Sequence, residues 1–230
     1  MTFFNPSEPI IRSKQEALDF QDRQGLLSLD IKLGDKTLIS VFYTRIDQVF
    51  ILWGLISAAI FITAQFAPIS WVIQAGLWSV LTLIGTMGMV VLTHFWVKVE
   101  RLRWVLYFWV ILMLTGVVLT DLSIFLSWGP ILMRLCPMWM GLSALGYFGT
   151  GVGMRSRAFT LASIVHLLGI AVLPYLGGWQ FLSTGIVMAV SLLMFAGVQW
   201  DMRPPIEYNL LTREQKQFNE KQYQLRQVPL

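Results

Sequence analysis

Six stretches of this sequence are too long and too apolar to be ordinary soluble helices: residues 46–66, 69–97, 104–126, 131–149, 158–176 and 181–200. A hydrocarbon core of about 30 Å is crossed by roughly 20 apolar residues at about 1.5 Å of helix rise each. Inside a bilayer each backbone N–H and C=O must find its partner within the protein, which for runs like these leaves the α-helix. The expected fold is therefore an all-α polytopic membrane protein. A six-helix transmembrane bundle occupies 46–200, with a small N-terminal segment at 1–45 and a polar C-terminal tail at 201–230. Composition agrees, since 13% of residues are charged against about 25% in an average soluble domain.

The breaks between the runs fix an expected orientation. Ala67-Pro68, Ser127-Trp128-Gly129-Pro130 and the connection at Gly177-Gly178 contain no Lys or Arg. The other side collects Arg45, Lys98, Arg101, Arg103, Arg155, Arg157 and Arg203. Positive charge is retained on the cytoplasmic side, so both termini are expected there, in a plasma or thylakoid membrane. Trp96, Trp104 and Trp200 would mark the inner boundary, and Trp71, Trp128 and Trp179 the outer one. The tails are nearly neutral: residues 1–46 hold six bases and six acids, and residues 201–230 hold five and four. A nucleic-acid partner is not expected from such a balance.

Two charges lie inside apolar sequence away from any basic loop, Asp121 and Arg134. They flank the turn at 127–130, Asp121 about five residues before it and Arg134 about four after. Their depths would match within a helical turn. A lone charge in lipid is costly, so the expectation is a structural ion pair across the hairpin. The alternatives are a transport site, or an Arg134 that snorkels to the interface.

His94 and His166 are the two histidines, and either could act as an axial ligand to chlorophyll or haem. Their depths differ by roughly 8 Å, which argues against one haem held by both. The plainer expectation is an interfacial His94 and a hydrogen-bonded core His166. No HExxH and no carboxylate cluster supports a metal site. The single cysteine, Cys136, excludes an internal disulfide and reads as a buried thiol. Small-xxx-small pairs at Gly54/Ala58 and Gly185/Ala189 suggest close helix packing.

The N-terminal segment lacks the pattern of a cleaved signal peptide. Ser13-Lys14-Gln15-Glu16 matches a capping box and predicts a short helix to about Gln24. Leu27, Leu29, Ile31 and Leu33 then alternate with polar residues before Gly34-Asp35, which predicts an amphipathic β-hairpin through Val41. Its apolar face needs cover, because an isolated hairpin is marginal in water. Thr212-Arg213-Glu214-Gln215 is a second capping box. The polar helix after it is expected to be solvated or disordered, with a docking tail as the sharper alternative.

Without a catalytic constellation or polar pathway, the expected role is non-enzymatic. The chain reads as an accessory or assembly subunit of a larger membrane complex, respiratory or photosynthetic in type. Its partners would be the lipid bilayer and other membrane protein subunits. A small-solute or ion transporter using Asp121 and Arg134 is one alternative. A pigment- or haem-binding protein using His94 or His166 is the other.

Overall fold

Apolar runs bounded by proline, glycine and charge set the helices of this chain. The computed structural model describes residues 3–4, 8–33, 36–206 and 210–227. The N-terminal segment contains strand β1 (Ile11–Arg12), helix α1 (Phe20–Arg23) and strands β2 (Leu27–Leu33) and β3 (Lys36–Tyr43). The bundle follows as α2 (Arg45–Phe66), α3 (Trp71–Val99), α4 (Arg103–Phe125), the single turn α5 (Gly129–Leu132), α6 (Leu135–Met154), α7 (Arg157–Val172), a 3-10 segment (Leu173–Trp179) and α8 (Gln180–Gly197). Strand β4 (Gln199–Trp200) and helix α9 (Arg213–Gln227) complete the chain.

Among the described residues, four helical runs are long and apolar enough to cross a membrane: Arg45–Phe66, Trp71–Val99, Arg103–Phe125 and Arg157–Gly197. The last is not one straight rod. Gly177 takes φ 52° and ψ −123° in the middle of it, a conformation that glycine reaches without steric cost. The chain folds back there, so that Arg157 at the start of α7 reaches Asp201 just beyond α8 (Nη2 to Oδ1, 3.0 Å). Helix α6 is diluted by five glycines between Gly141 and Gly153 and stands outside that set.

The helices pack as a ring. α2 lies between α8 and α3, α4 between α3 and α6, and α7 against α6, with α7 and α8 closing the circuit. Both small-residue pairs sit at the α2–α8 seam. A Cβ on Gly54 would fall 2.9 Å from the Leu193 side chain, and one on Gly185 would fall 2.6 Å from Cβ of Phe61. Gln65 ties the far end of this seam, donating to Gly178 O (3.0 Å) and accepting from Leu182 N (3.2 Å).

The α4–α6 contact uses one device twice. Trp109 of α4 lies over Gly146 of α6, and Trp139 of α6 lies over Gly116 of α4. Each indole N–H donates to a threonine one turn beyond the glycine it covers, Trp109 to Thr150 (2.9 Å) and Trp139 to Thr120 (3.1 Å). Both helices therefore carry Trp-x6-Gly-x3-Thr, at 109–120 and 139–150. The missing Cβ lets the large ring sit against the backbone, and the threonine satisfies its buried N–H.

Several expectations change. Residues 13–19 are not helical, and Ser13–Glu16 forms no capping box; helix survives only at Phe20–Arg23. The extended chain is held instead by Lys14 Nζ on Asp47 (2.7 Å) and by Gln15 N on the Gln199 side chain (3.1 Å). β1 pairs antiparallel with β4, opposing Ile11 to Trp200. Trp200 is consequently buried in the core and does not mark a surface belt. The hairpin forms with Leu27 opposite Tyr43, Leu29 opposite Val41 and Ile31 opposite Ile39. Its expected turn at Gly34-Asp35 lies outside the described residues. The capping box at Thr212 forms, with Thr212 N on Gln215 Oε1 (2.9 Å) and Gln215 N on Thr212 Oγ1 (3.3 Å).

Glycine-covered tryptophans generate a paired test. A Cβ on Gly146 would lie 2.3 Å from the Trp109 ring, whereas on Gly141 the nearest atom is 3.8 Å away. Gly146→Ala is expected to destabilise the bundle by about 1–3 kcal/mol through overpacking. Gly141→Ala on the same helix is expected to be neutral or slightly stabilising. Unfolding of the two variants in mild detergent measures the difference.

Candidate functional site

Both tails converge on one end of the bundle and build a polar cap there. The N-terminus of α2 opens it: Thr44 and Asp47 form a reciprocal capping box, and Lys14 neutralises the same carboxylate. At the end of α3, Trp96 donates from Nε1 to Asp22 Oδ1 (2.7 Å). Glu100, just past that helix, accepts from Gln21 Nε2 (2.7 Å), and its backbone carbonyl accepts from Arg203 (2.8 Å). Arg157 reaches Asp201 and the carbonyl of Glu8.

Helix α9 closes this assembly from above. Asn219 Nδ2 donates to Gln21 Oε1 (3.0 Å), and Asn219 Oδ1 accepts from Phe20 N (2.7 Å). Arg226, seven residues on and therefore on the same face, pairs with Asp19 Oδ1 (2.9 Å) and donates to Ala17 O (2.8 Å). Asn219 and Arg226 are 2% and 4% exposed, so the tail is neither solvated nor disordered along this face. It docks on the chain's own N-terminal segment. The seam is polar, which is why a search for an apolar stripe does not find it.

The cap concentrates buried acid. Burial pushes the Asp22 carboxyl up to about 8, helped by neighbouring Asp19 and opposed by the Trp96 N–H. Burial likewise raises Glu100 to about 7, against the pull of Arg203 and Gln21. Asp19 is raised by burial despite its bond to Arg226. A neutral carboxylic acid is easier to bury than its anion, so the cap holds protons near neutral pH.

The predicted ion pair does not form. Asp121 turns to α3, where Ser79 Oγ donates to its carboxylate at 2.9 and 3.0 Å. Arg134 is exposed and makes no ion pair among the described residues. The connection explains this. α4 ends at Phe125, α5 inserts a separate turn, and Arg134 becomes the residue that precedes α6. It is not a position one turn inside a helix facing α4.

The histidines are also kept apart. His94 is exposed on α3, while His166 on α7 is fully buried. His166 Nδ1 lies 2.8 Å from Ala162 O, and its ring sits 4.9 Å from that of Tyr147. It borders a cavity of about 150 Å³ on the axis of the ring, walled by Trp53, Trp109, Trp139 and Tyr147. A tetrapyrrole is several times larger than such a space, so the helices would have to part to admit one on His166. Among the described residues no three His, Cys, Asp or Glu side chains gather as a metal site. Cys136 is buried, as expected.

Beyond the cap, the hairpin leaves the body of the protein. Leu27 is 49% exposed, Leu29 47% and Val41 36%. These residues share one face of the ribbon through the register that pairs Leu29 with Val41. At these three positions the chain leaves the face uncovered. In comparisons with known proteins, no family model, no curated protein and no solved structure matches this chain.

The buried acids give the cap a pH dependence of definite sign. Asp22 and Glu100 bind protons more tightly folded than unfolded, so their favourable contribution is complete below about pH 4. It is lost as pH rises through about 7 to 8. Amide exchange in α9, corrected for intrinsic rate, is expected to accelerate between pH 6 and pH 8.5. Asp22→Asn, which keeps an acceptor for Trp96, is expected to flatten that change.

Proposed function

We propose that this chain is an integral-membrane accessory or assembly subunit that offers its hairpin to a protein partner. The observation that carries the reading is the ribbon's apolar face, with Leu27, Leu29 and Val41 exposed. A two-stranded ribbon is marginal by itself. Apolar patches and open strand edges on a folded protein are interaction surfaces. The tails cannot serve as free docking arms, because α9 and the segment around α1 are consumed by each other. The hairpin is the element left over.

We also propose six membrane crossings, by α2, α3, α4, α6, α7 and α8, with both termini in the cytoplasm. The fold-back at Gly177 supports counting α7 and α8 separately, and α6 spans the same layer as α4, whose length it follows through the Trp–Gly–Thr contacts. The helix ends that meet the cap carry Arg45, Lys98, Arg101, Arg103, Arg155 and Arg157, and Arg203 follows shortly after α8. The opposite connections carry Arg134 alone. That asymmetry favours a cytoplasmic cap. The transport reading loses its main support, since Asp121 and Arg134 do not meet and the central cavity is mostly apolar.

Two measurements test this. Reporters fused before Met1 and after Leu230 are expected to read cytoplasmic, and one at Gly129 the opposite side; a cytoplasmic Gly129 overturns the span count or the orientation. Solubilised gently from its own membrane, the wild-type chain is expected to migrate far above its 26.2 kDa mass. A Leu29→Asp, Val41→Asp double variant is expected to migrate as a monomer with unchanged helix content. Wild type and variant migrating alike would refute the assignment to the hairpin.

A further inference from the structure

We infer that the cap end of the α4–α6 seam binds an anionic phospholipid, its phosphate headgroup held among Arg101, Arg103, Arg155 and Arg203 and its glycerol and acyl chains lying on Trp104 and Tyr107. The inference is independent of the assembly reading, since it uses none of the hairpin's residues.

Three helix ends and the segment after α8 bring the arginines together. α3 ends at Val99 and α4 starts at Arg103, so Arg101 and Arg103 sit at the short connection between them. Arg203 arrives from beyond α8 and donates from Nη1 to the carbonyl of the peptide that joins Glu100 to Arg101 (2.8 Å). α6 delivers Arg155. A Cβ on Gly153 would lie 2.9 Å from the Trp104 ring and 3.2 Å from the Leu102 side chain. The last turn of α6 therefore rests on the first turn of α4, and Arg155 follows two residues later. The charges act on one another. Burial holds the Arg203 guanidinium below its usual range, Glu100 opposes this, and Arg155 and Arg101 add to it.

The charge here is unbalanced. Residues 98–104, 152–157 and 201–203 hold six bases and two acids. Asp201 is paired with Arg157 (3.0 Å), and Glu100 answers Arg203 (3.8 Å). Arg103 and Arg155 are exposed, and neither makes an ion pair among the described residues. Arg155 lies over the ring of Phe3 (5.8 Å), a contact that leaves its charge in place. The planar guanidinium fork matches phosphate oxygens better than a lysine does. Arg101 and Arg155 also take φ 56° and 54°, a left-handed backbone that glycine or asparagine enters more readily. The turns they occupy therefore do not call for arginine.

Position selects a lipid over a free anion. α3 and α4 are both long and apolar enough to cross the membrane, so the connection between them lies at its boundary. Basic pockets between helix ends at that level match anionic headgroups. Next to the arginines, Trp104 and Tyr107 are exposed on one face of α4, three residues apart. Phe148 and Val152 are exposed on α6, one helical turn apart. An apolar track thus leads from the arginines toward the bilayer interior. Amphipathic rings such as Trp104 and Tyr107 favour the headgroup level. A water-soluble phosphate would meet the arginines and leave the track unused.

The test uses the full chain in mild detergent, with dioleoyl phosphatidylglycerol, dioleoyl phosphatidylcholine and soluble glycerol phosphate as probes. Binding is read by native mass spectrometry and by the rise in unfolding midpoint. Phosphatidylglycerol is expected to bind about tenfold more tightly than phosphatidylcholine, since each base near an anionic surface contributes roughly fivefold. Glycerol phosphate is expected to bind about tenfold more weakly than phosphatidylglycerol, because it lacks the chains. Arg101→Asn with Arg155→Asn, which suits the left-handed backbone, is expected to erase most of the preference. Arg213→Gln with Lys221→Gln removes equal charge from exposed positions on α9 and is expected to leave it intact. If the first double variant does not fold, Arg103→Gln alone is expected to lower the preference about threefold. Equal binding of the two lipids, equal loss in both double variants, a preference that survives in the arginine variants, or glycerol phosphate bound as tightly as the lipid would overturn the proposal.

Discussion

Burial of Asp19, Asp22 and Glu100 at one end of the helix ring is the constraint on which the rest of this structure depends. Charges removed from water must be paired or neutralised. Here the partners come from everywhere in the chain. Arg226 arrives from the last helix, Arg203 from the segment after α8, Gln21 from α1 and Trp96 from α3. Each partner fastens one segment, so the acids work as a knot that joins the N-terminal segment, the C-terminal helix and the ends of α3 and α8. Removing one member of a buried pair strands the other, at a typical cost of about 3–5 kcal/mol. The knot therefore specifies where each tail goes more than it adds stability.

That placement has a functional consequence. With both tails consumed by the cap, the hairpin between α1 and α2 emerges from a fixed base. Thr44 ends the ribbon and begins α2 through its bond with Asp47, while Gln48 reaches back to the carbonyls of Gly25 and Tyr43. The orientation of the ribbon relative to the bundle is thus tied to the first turn of α2. A rigidly based apolar ribbon loses less conformational freedom on binding than a loose tail would.

How much of this is legible in the residues differs by layer. The helices are, because apolar length and the interruptions at Pro68, Pro130 and Gly177 act locally. The hairpin is, because alternation has a period of two. The Trp-x6-Gly-x3-Thr repeat at 109–120 and 139–150 was present in the sequence as a 30-residue offset, and a comparison of neighbouring spans would find it. The cap is not legible, since its bonds join residues up to 219 positions apart (Glu8 and Gln227) and its seam lacks an apolar stripe. Asp121 and Arg134 mislead for the opposite reason. Equal spacing from a turn implies contact only if the turn is tight, and α5 makes it wide. Ser13 and Glu16 suggest a helix start by pattern, but Lys14 on Asp47 and Gln15 on Gln199 hold the chain extended between them.

Hydrogen exchange of the hairpin amides, 27–33 and 36–43, tests the central claim most directly. It is measured once in the chain's native membrane and once in the purified monomer. Exchange should be slow in the membrane and at least tenfold faster in the monomer, with α9 protected equally in both. Rapid exchange in both settings would contradict the account, because the ribbon would then have no partner to meet.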